Sequence, residues 1–281
     1  MKISKILIFA AVGDNCEALK WLGSNFIENT NLDIDVLVAH YGDQVAKLQL
    51  LVAPNIKVIQ NKGTSKFEKF FNYVNDGSIS LDEYDYFWIP DDDVRISSVA
   101  IQEFFSYCID FDLQLAQPGC LGFAMGKQIV RRDARYLLRY TNYIDGMAPL
   151  FEKSALKRCI GTFEKCASGR GIDHVWAALL GNPKDSIAIV DRVLMLHMKP
   201  SGKTYDRFSA SIDEQYLSVK QKYESLVENY YSWEDKLVYK NVDANWFNNH
   251  ARWWNSVYDR LLEIYSIGLP RLVKHFLARM R

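Results

Sequence analysis

Four apolar runs punctuate the first third of the chain: Lys5 to Val12, Ile34 to Ala39, Ile56 to Gln60 and Tyr84 to Ile89. The first is nearly continuous, which is the pattern of a strand covered on both faces; a strand with one wet face alternates instead. Stretches with helical spacing separate them. Asn15 to Ile27 spaces Leu19, Trp21, Leu22 and Phe26 along one helix face. Ser65 stands ready to cap a helix running to Val74, with Glu68 placed as in a capping box. Another helix is expected near Ser97 to Cys108. Parallel strands need crossover connections, so this alternation implies an α/β fold with a mainly parallel central sheet flanked by helices.

The rest of the chain is less regular. Leu113 to Gln117 and Asn142 to Phe151 read as strands, and Lys153 to Phe163 reads as a helix. Gly169 to Leu180 is a glycine-rich turn feeding a helix, and Ser186 to His197 is strand material ending on His197. From Ser211 onward the pattern is helical and rich in Tyr and Trp. The 281 residues are 49% apolar and 14% aromatic, enough for a sizeable core. Lys plus Arg and Asp plus Glu both number 34, which argues against a nucleic-acid binder. The five cysteines form no C-x-x-C pair, so neither a disulfide framework nor a zinc site is expected, and a reducing cytoplasm fits. The N-terminal apolar run lacks a small-x-small cleavage pattern and reads as a first strand. No run reaches the ~18 residues of a bilayer span.

In α/β sheets ligands bind beyond the carboxyl ends of the strands. Gly13-Asp14, Tyr41-Gly42-Asp43 and Asp91-Asp92-Asp93 all fall there. The last of these follows Tyr84-Asp85-Tyr86-Phe87-Trp88-Ile89-Pro90, a strand that runs straight into three carboxylates. Like charges repel, so such a cluster calls for a cation. Hard divalent ions such as Mg²⁺ and Mn²⁺ prefer carboxylate oxygens, and acids at i and i+2 can share one. A solvated acidic turn is the alternative. Asp173 follows Gly169-Arg170-Gly171 and is suited to accept a proton from a substrate hydroxyl, or simply to start a helix. His197 is suited to complete a metal shell or to sit hydrogen-bonded at a strand end. Lys199 is suited to meet a phosphate or to remain an ordinary surface lysine.

Taken together, these pieces resemble the nucleotide-sugar glycosyltransferases of the GT-A fold. Within that fold the chain looks most similar to a plant and bacterial family long catalogued as a domain of unknown function. The segments that carry the likeness occur in order. They are Lys62-Gly63 with Lys66-Phe67, Tyr84-Asp85-Tyr86 leading to the acids, Gln117-Pro118, and Met147-Ala148-Pro149. Gly169-Arg170-Gly171-Ile172-Asp173 and Val190-Asp191 leading to His197 complete the set. Two positions depart from the family: Arg170 replaces an aromatic residue, and Asp92 replaces the middle Glu. The likeness covers roughly residues 3 to 203.

The resemblance implies a catalytic domain over 1–205, with a nucleotide-binding half (1–95) and an acceptor half (96–205), followed by a helical extension over 206–281. It implies sugar transfer from a nucleotide diphosphate donor, a UDP-sugar for preference, to a glycan or lipid-linked glycan in bacterial surface-polysaccharide synthesis. Asp91, Asp93 and His197 would hold Mn²⁺ or Mg²⁺, and Asp173 would be the base of an inverting reaction. Gly13, Asp14, Asp43, Lys66, Asp92 and Lys199 would contact the donor. Residues 252–281 carry six basic and two acidic side chains, with Leu272, Val273, Phe276, Leu277 and Met280 on one helical stripe. That suits peripheral contact with an anionic membrane surface, or packing on the domain itself or a second subunit. Three rival readings were weighed. A haloacid-dehalogenase phosphatase carries its acids on the first strand, and a Rossmann dehydrogenase needs a G-x-G-x-x-G that VGDNCEA lacks. A non-catalytic scaffold of the same fold would not need the acids, Asp173 and His197 together.

Overall fold

The computed structural model describes residues 4–22, 32–44, 53–63, 65–122, 128–199, 212–243 and 259. The apolar runs become strands β1 (Lys5–Val12), β2 (Asp33–His40), β3 (Ile56–Gln60) and β4 (Tyr86–Trp88). All but the first residue of β1 are buried, as its continuous apolarity requires. Helix α1 spans Ala18–Leu22; residues 15–17 of the expected Asn15 to Ile27 helix form a turn and bend instead, and residues 23–27, including Phe26, lie outside the described residues. Ser65 caps α2 (Lys66–Asn75) by accepting from the Glu68 amide at 3.2 Å. Ser97 does the same for α3 (Ser98–Asp110), accepting from Ala100 at 3.2 Å.

The second part adds β5 (Val94–Arg95), β6 (Leu115–Gly122), β7 (Tyr136–Thr141), β8 (Leu150–Glu152) and β9 (Ile187–His197). Helices α4 (Lys153–Cys159), α5 (Trp176–Leu179) and α6 (Ile212–Glu228) and strand β10 (Val238–Asp243) complete the described elements. The sheet order is β10-β7-β9-β6-β8-β4-β1-β2-β3, with β5 paired to β9 off this path. The pairings set β1, β2, β3, β4, β6, β9 and β10 in one direction and β5, β7 and β8 in the other. Strands β1 to β4 are therefore wholly parallel to one another, while the rest of the sheet is mixed.

Two sequence expectations are corrected. Asn142 to Phe151 is not one strand. Only Leu150–Glu152 is extended ladder, because Asp145 turns the chain by accepting from the Met147 amide at 3.0 Å and Pro149 has no N–H to donate. Nor is the C-terminal extension helical throughout. Its residues Val238–Asp243 pair antiparallel with β7 and so join the main sheet. The basic amphipathic tail from Arg252 lies outside the described residues apart from Asp259, which pairs with Arg132. Among the described residues, no helix is long and apolar enough to cross a membrane.

An aromatic cluster packs the helices to the sheet. Phe163 is fully buried and meets Phe67, Phe151, Trp176 and Phe70 at centroid distances of 4.8, 5.9, 6.2 and 6.2 Å. Edge-on and tilted rings at such spacings add to the gain from burial. Phe163→Ala should therefore destabilise the fold by about 3–5 kcal/mol in chemical denaturation. A loss under about 1 kcal/mol would mean that this cluster does not hold α2, α4 and α5 together.

Candidate active site

The carboxyl edge of the parallel strands gathers Gly13-Asp14 after β1, Tyr41–Gln44 after β2, and Ile89–Asp93 after β4. Strand β9 runs the same way and ends there on His197. A short antiparallel pairing completes the arrangement: Val94 of β5 faces His197 of β9, and the Met198 amide donates to Asp93 O at 3.0 Å. The acids, distant in sequence from His197, are thus pinned beside it by main chain. Gly122, next to His197 on β6, has φ +93°, and a β-carbon there would stand 2.5 Å from the His197 carbonyl. Only glycine permits β6 to run this close.

Asp91, Asp93 and His197 offer donor atoms that all lie within 4.8 Å of one another. His197 Nε2 is 3.2 Å from Asp93 Oδ1 and 4.0 Å from Asp91 Oδ2. Among the described residues, buried His197 Nδ1 has no hydrogen-bond partner. Burial pushes the His197 imidazole toward its neutral form, but the hydrogen bond and charge of Asp93, then Asp91, outweigh it and raise its pKa to about 9. Burial also works against the Asp93 carboxylate, and His197 reverses that, holding Asp93 below the usual range. Asp91 keeps 38% of its side chain exposed, yet loss of water around the carboxylate outweighs Lys66 and pushes its pKa upward. Two carboxylates and one imidazole fit a hard divalent cation, with Mn²⁺ favoured over Mg²⁺ by the nitrogen donor.

The middle acid faces elsewhere. Asp92 Oδ2 accepts from the Tyr41 hydroxyl at 2.5 Å and the Gly13 amide at 3.2 Å, and its Oδ1 is 3.7 Å from Lys199. Its backbone carbonyl accepts from the Glu17 and Ala18 amides, which ties the start of α1 to the acid loop. A β-carbon at Gly13 would meet the Tyr41 ring at 2.9 Å, so this close approach needs glycine. Asp14 organises the loop after β2, accepting from the Asp43 and Gln44 amides and from His40 Nε2 at 2.9, 2.8 and 2.9 Å. Those backbone amides, more than His40, hold its pKa below the usual range. Asp43 is exposed and pairs with Lys62 at 2.5 Å.

Lys66 is buried at the centre of the site. Its ammonium bonds Asp91 Oδ1 at 2.7 Å and the carbonyls of Ile89 and Met147 at 2.8 and 3.0 Å. The Met147 carbonyl also accepts from the Asp91 amide at 2.6 Å, so the acid loop and the 143–149 loop are stitched together. Asp173 lies in the short helical turn Ile172–His174 that follows Gly169 and Gly171. It is buried and accepts from the Tyr143 hydroxyl. Gly146 and Gly169 both lie against Phe67, so the loops that carry Tyr143 and Asp173 close over the first turn of α2. The C-terminal segment braces this side. His174 stacks on Trp233 at 5.2 Å and bonds its carbonyl at 3.0 Å.

Several residues that build the site were not singled out from sequence as functional. Tyr41 and Tyr143 orient acids, and His40 orients Asp14. Asp145 sits close enough to Lys66 and His197 to favour their charged forms, and its amide is held by the buried Gln117 at 2.6 Å. Lys69, one turn after Lys66, is buried, bonds Gly63 O at 2.7 Å and lies 5.5 Å from the Tyr41 ring centre. Tyr41 adjoins a recognised strand-end motif, but an aromatic in a chain so rich in them carries little signal.

By sequence, no protein-family model matches the chain and no curated protein matches it, so membership in the plant and bacterial family gains no support. Solved structures do match. The fold is similar to the S. aureus TarS fragment 1–349 in complex with UDP-GlcNAc, with TM-score 0.52 and 12% identity, covering 80% of this chain and 67% of that one. It is also similar to the mannosyltransferase PcManGT from Pyrobaculum calidifontis in complex with GDP-Man and Mn²⁺. There the TM-score is 0.51 and the identity 10%, over 100% of this chain and 81% of that one. The crystal structure of S. aureus TarS matches at TM-score 0.48 and 11% identity, over 77% of this chain and 43% of that one. At such identities the likeness concerns the fold, which is GT-A-like.

The Tyr41–Asp92 bond is checkable without any ligand. Hydrogen bonds to charged groups are worth about 1.5–3 kcal/mol. Tyr41→Phe should lower unfolding stability by about that much, since it removes the hydroxyl and leaves the ring against Gly13. A change below about 0.5 kcal/mol would show that Asp92 is held without it.

Proposed function

We propose that the protein is a metal-dependent glycosyltransferase that moves a sugar from a nucleotide diphosphate donor to an acceptor hydroxyl. The observation that carries this reading is the Asp91, Asp93 and His197 cluster at the carboxyl edge of a GT-A-like sheet. Two structures of similar fold were solved with UDP-GlcNAc or with GDP-Man and Mn²⁺, which supports the donor class. A UDP-sugar is the first donor to test and a GDP-sugar the second. Asp91 and Asp93 would supply oxygen and His197 nitrogen to Mn²⁺ or Mg²⁺. When bound, that ion supplies Lewis-acid stabilisation of charge on the departing diphosphate.

The chain's own residues would do the rest. Gly13, Asp14, Asp43 and Lys199 border the donor side, and Asp92 fixes the loop that carries the metal ligands. Asp173, oriented by Tyr143, takes the proton of the acceptor hydroxyl as that oxygen bonds the anomeric carbon. The bond from that carbon to the diphosphate oxygen breaks, and the nucleoside diphosphate leaves. One base acting opposite the leaving group gives inversion. The acceptor is read as a glycan or lipid-linked glycan, in the context of bacterial surface polysaccharide, with peripheral contact to the membrane.

A panel of UDP- and GDP-sugars, each with Mn²⁺ or EDTA, tests the donor site by thermal shift. A ligand at a hundredfold excess over Kd stabilises by about 2.7 kcal/mol. The shift should vanish with EDTA and in Asp93→Ala, whose fold should persist because the acid lies on a loop. No shift with any nucleotide sugar would reject the reading. For the base, Asp173→Asn should lower turnover by about 10²–10⁴-fold with little change in donor affinity. A loss under about threefold would remove Asp173 from that role.

A further inference from the structure

We propose that Lys66 is a positioning residue for the metal ligand Asp91, and not a contact to the donor phosphates. This inference rests on the metal-dependent reading above. An ammonium has three donors. In Lys66 all three are accounted for by Asp91 Oδ1, Ile89 O and Met147 O, at 2.7, 2.8 and 3.0 Å. The side chain is 9% exposed and leans on the Phe67 ring, 5.0 Å from its centre. No proton is left to offer a phosphate without breaking a buried bond. The consequence falls on Asp91. Its Oδ1 is engaged by Lys66, while Oδ2 faces His197 at 4.0 Å. Lys66 therefore presents one oxygen of Asp91 to the cation and prevents the carboxylate from turning edge-on. Through the two carbonyls it also locks the end of β4 to the loop bearing Met147.

The test separates metal binding from nucleotide binding by calorimetry on the full chain. Mn²⁺ affinity is measured first without nucleotide, for wild type and Lys66→Met. UDP and GDP affinities are then measured at saturating Mn²⁺. Partners that orient metal ligands typically contribute 10–100-fold to affinity. Lys66→Met should weaken Mn²⁺ binding by about that factor and leave nucleotide affinity at saturating Mn²⁺ within about threefold. Unchanged Mn²⁺ affinity would overturn the proposal, as would a nucleotide loss as large as the metal loss. Circular dichroism and melting confirm folding. If Lys66→Met does not fold, Lys66→Gln, which keeps donors for the carbonyls, is held to the same outcomes. Absence of Mn²⁺ binding by the wild type would instead reject the metal reading itself, and this inference with it.

Discussion

The short antiparallel contact between Val94 and His197 is what the rest of the site depends on. It consists of two paired residues and a main-chain bond from Met198 to Asp93. Without it the acids would end the loop after β4 and His197 would end β9, with no reason to meet. Main-chain pairing is well suited to this task, because it fixes a register that side-chain rotamers alone would leave loose. The bulge in β9 serves the same end. Pairing with β6 skips from Val190 to Leu194, and the intervening Asp191 turns inward to hold Arg139 at 2.7 Å. Burial pushes the Asp191 carboxyl up to about 6 against the pull of Arg139. Such a pair is costly to break from one side, so it secures the strand whose end carries the histidine.

Around that contact, the three consecutive acids have diverged in role. Asp91 and Asp93 share a face with His197, while Asp92 points the other way, toward Tyr41 and Gly13. Asp92 and Asp93 sit in a turn closed by the Val94 amide donating to Asp91 O at 3.4 Å, and that turn carries the middle acid away from its neighbours. Like-charge repulsion within the cluster is relieved on both sides. Lys66 meets Asp91, His197 meets Asp93, and a hydroxyl and an amide meet Asp92. The acid loop is thus held rigid before any cation arrives, which is the arrangement a metal centre needs for geometric selectivity.

The second half contributes through loops braced by distant chain. Asp173 is held by Tyr143, and the following His174 is stacked on Trp233 from the C-terminal segment. That segment does not hang off the domain. Its strand β10 extends the sheet, and Leu237 N donates to Asn142 Oδ1 at 2.6 Å, one residue from Tyr143. The surroundings of Tyr143 and Asp173 are therefore built partly by residues after Ile212, which the family likeness in sequence did not reach.

By itself the sequence determined the parallel strands β1 to β4, the helix capped by Ser65, the helix near Ser97 and the strand-end position of Gly13-Asp14, Asp43 and Asp91-Asp92-Asp93. Each of these follows from local signals: apolar continuity, a capping hydroxyl, and acids placed where a buried strand ends. The resemblance grouped His197 with Asp91 and Asp93, but the strand register that brings them together, and the burial of Lys66 in the interior, were decided by tertiary structure. Tertiary structure also decided that Tyr41 and Tyr143 orient acids, and that residues 238–243 join the sheet. Those outcomes depend on strand register across more than a hundred residues and on which acceptors surround a buried ammonium. Periodicity and spacing along one chain carry no information about either.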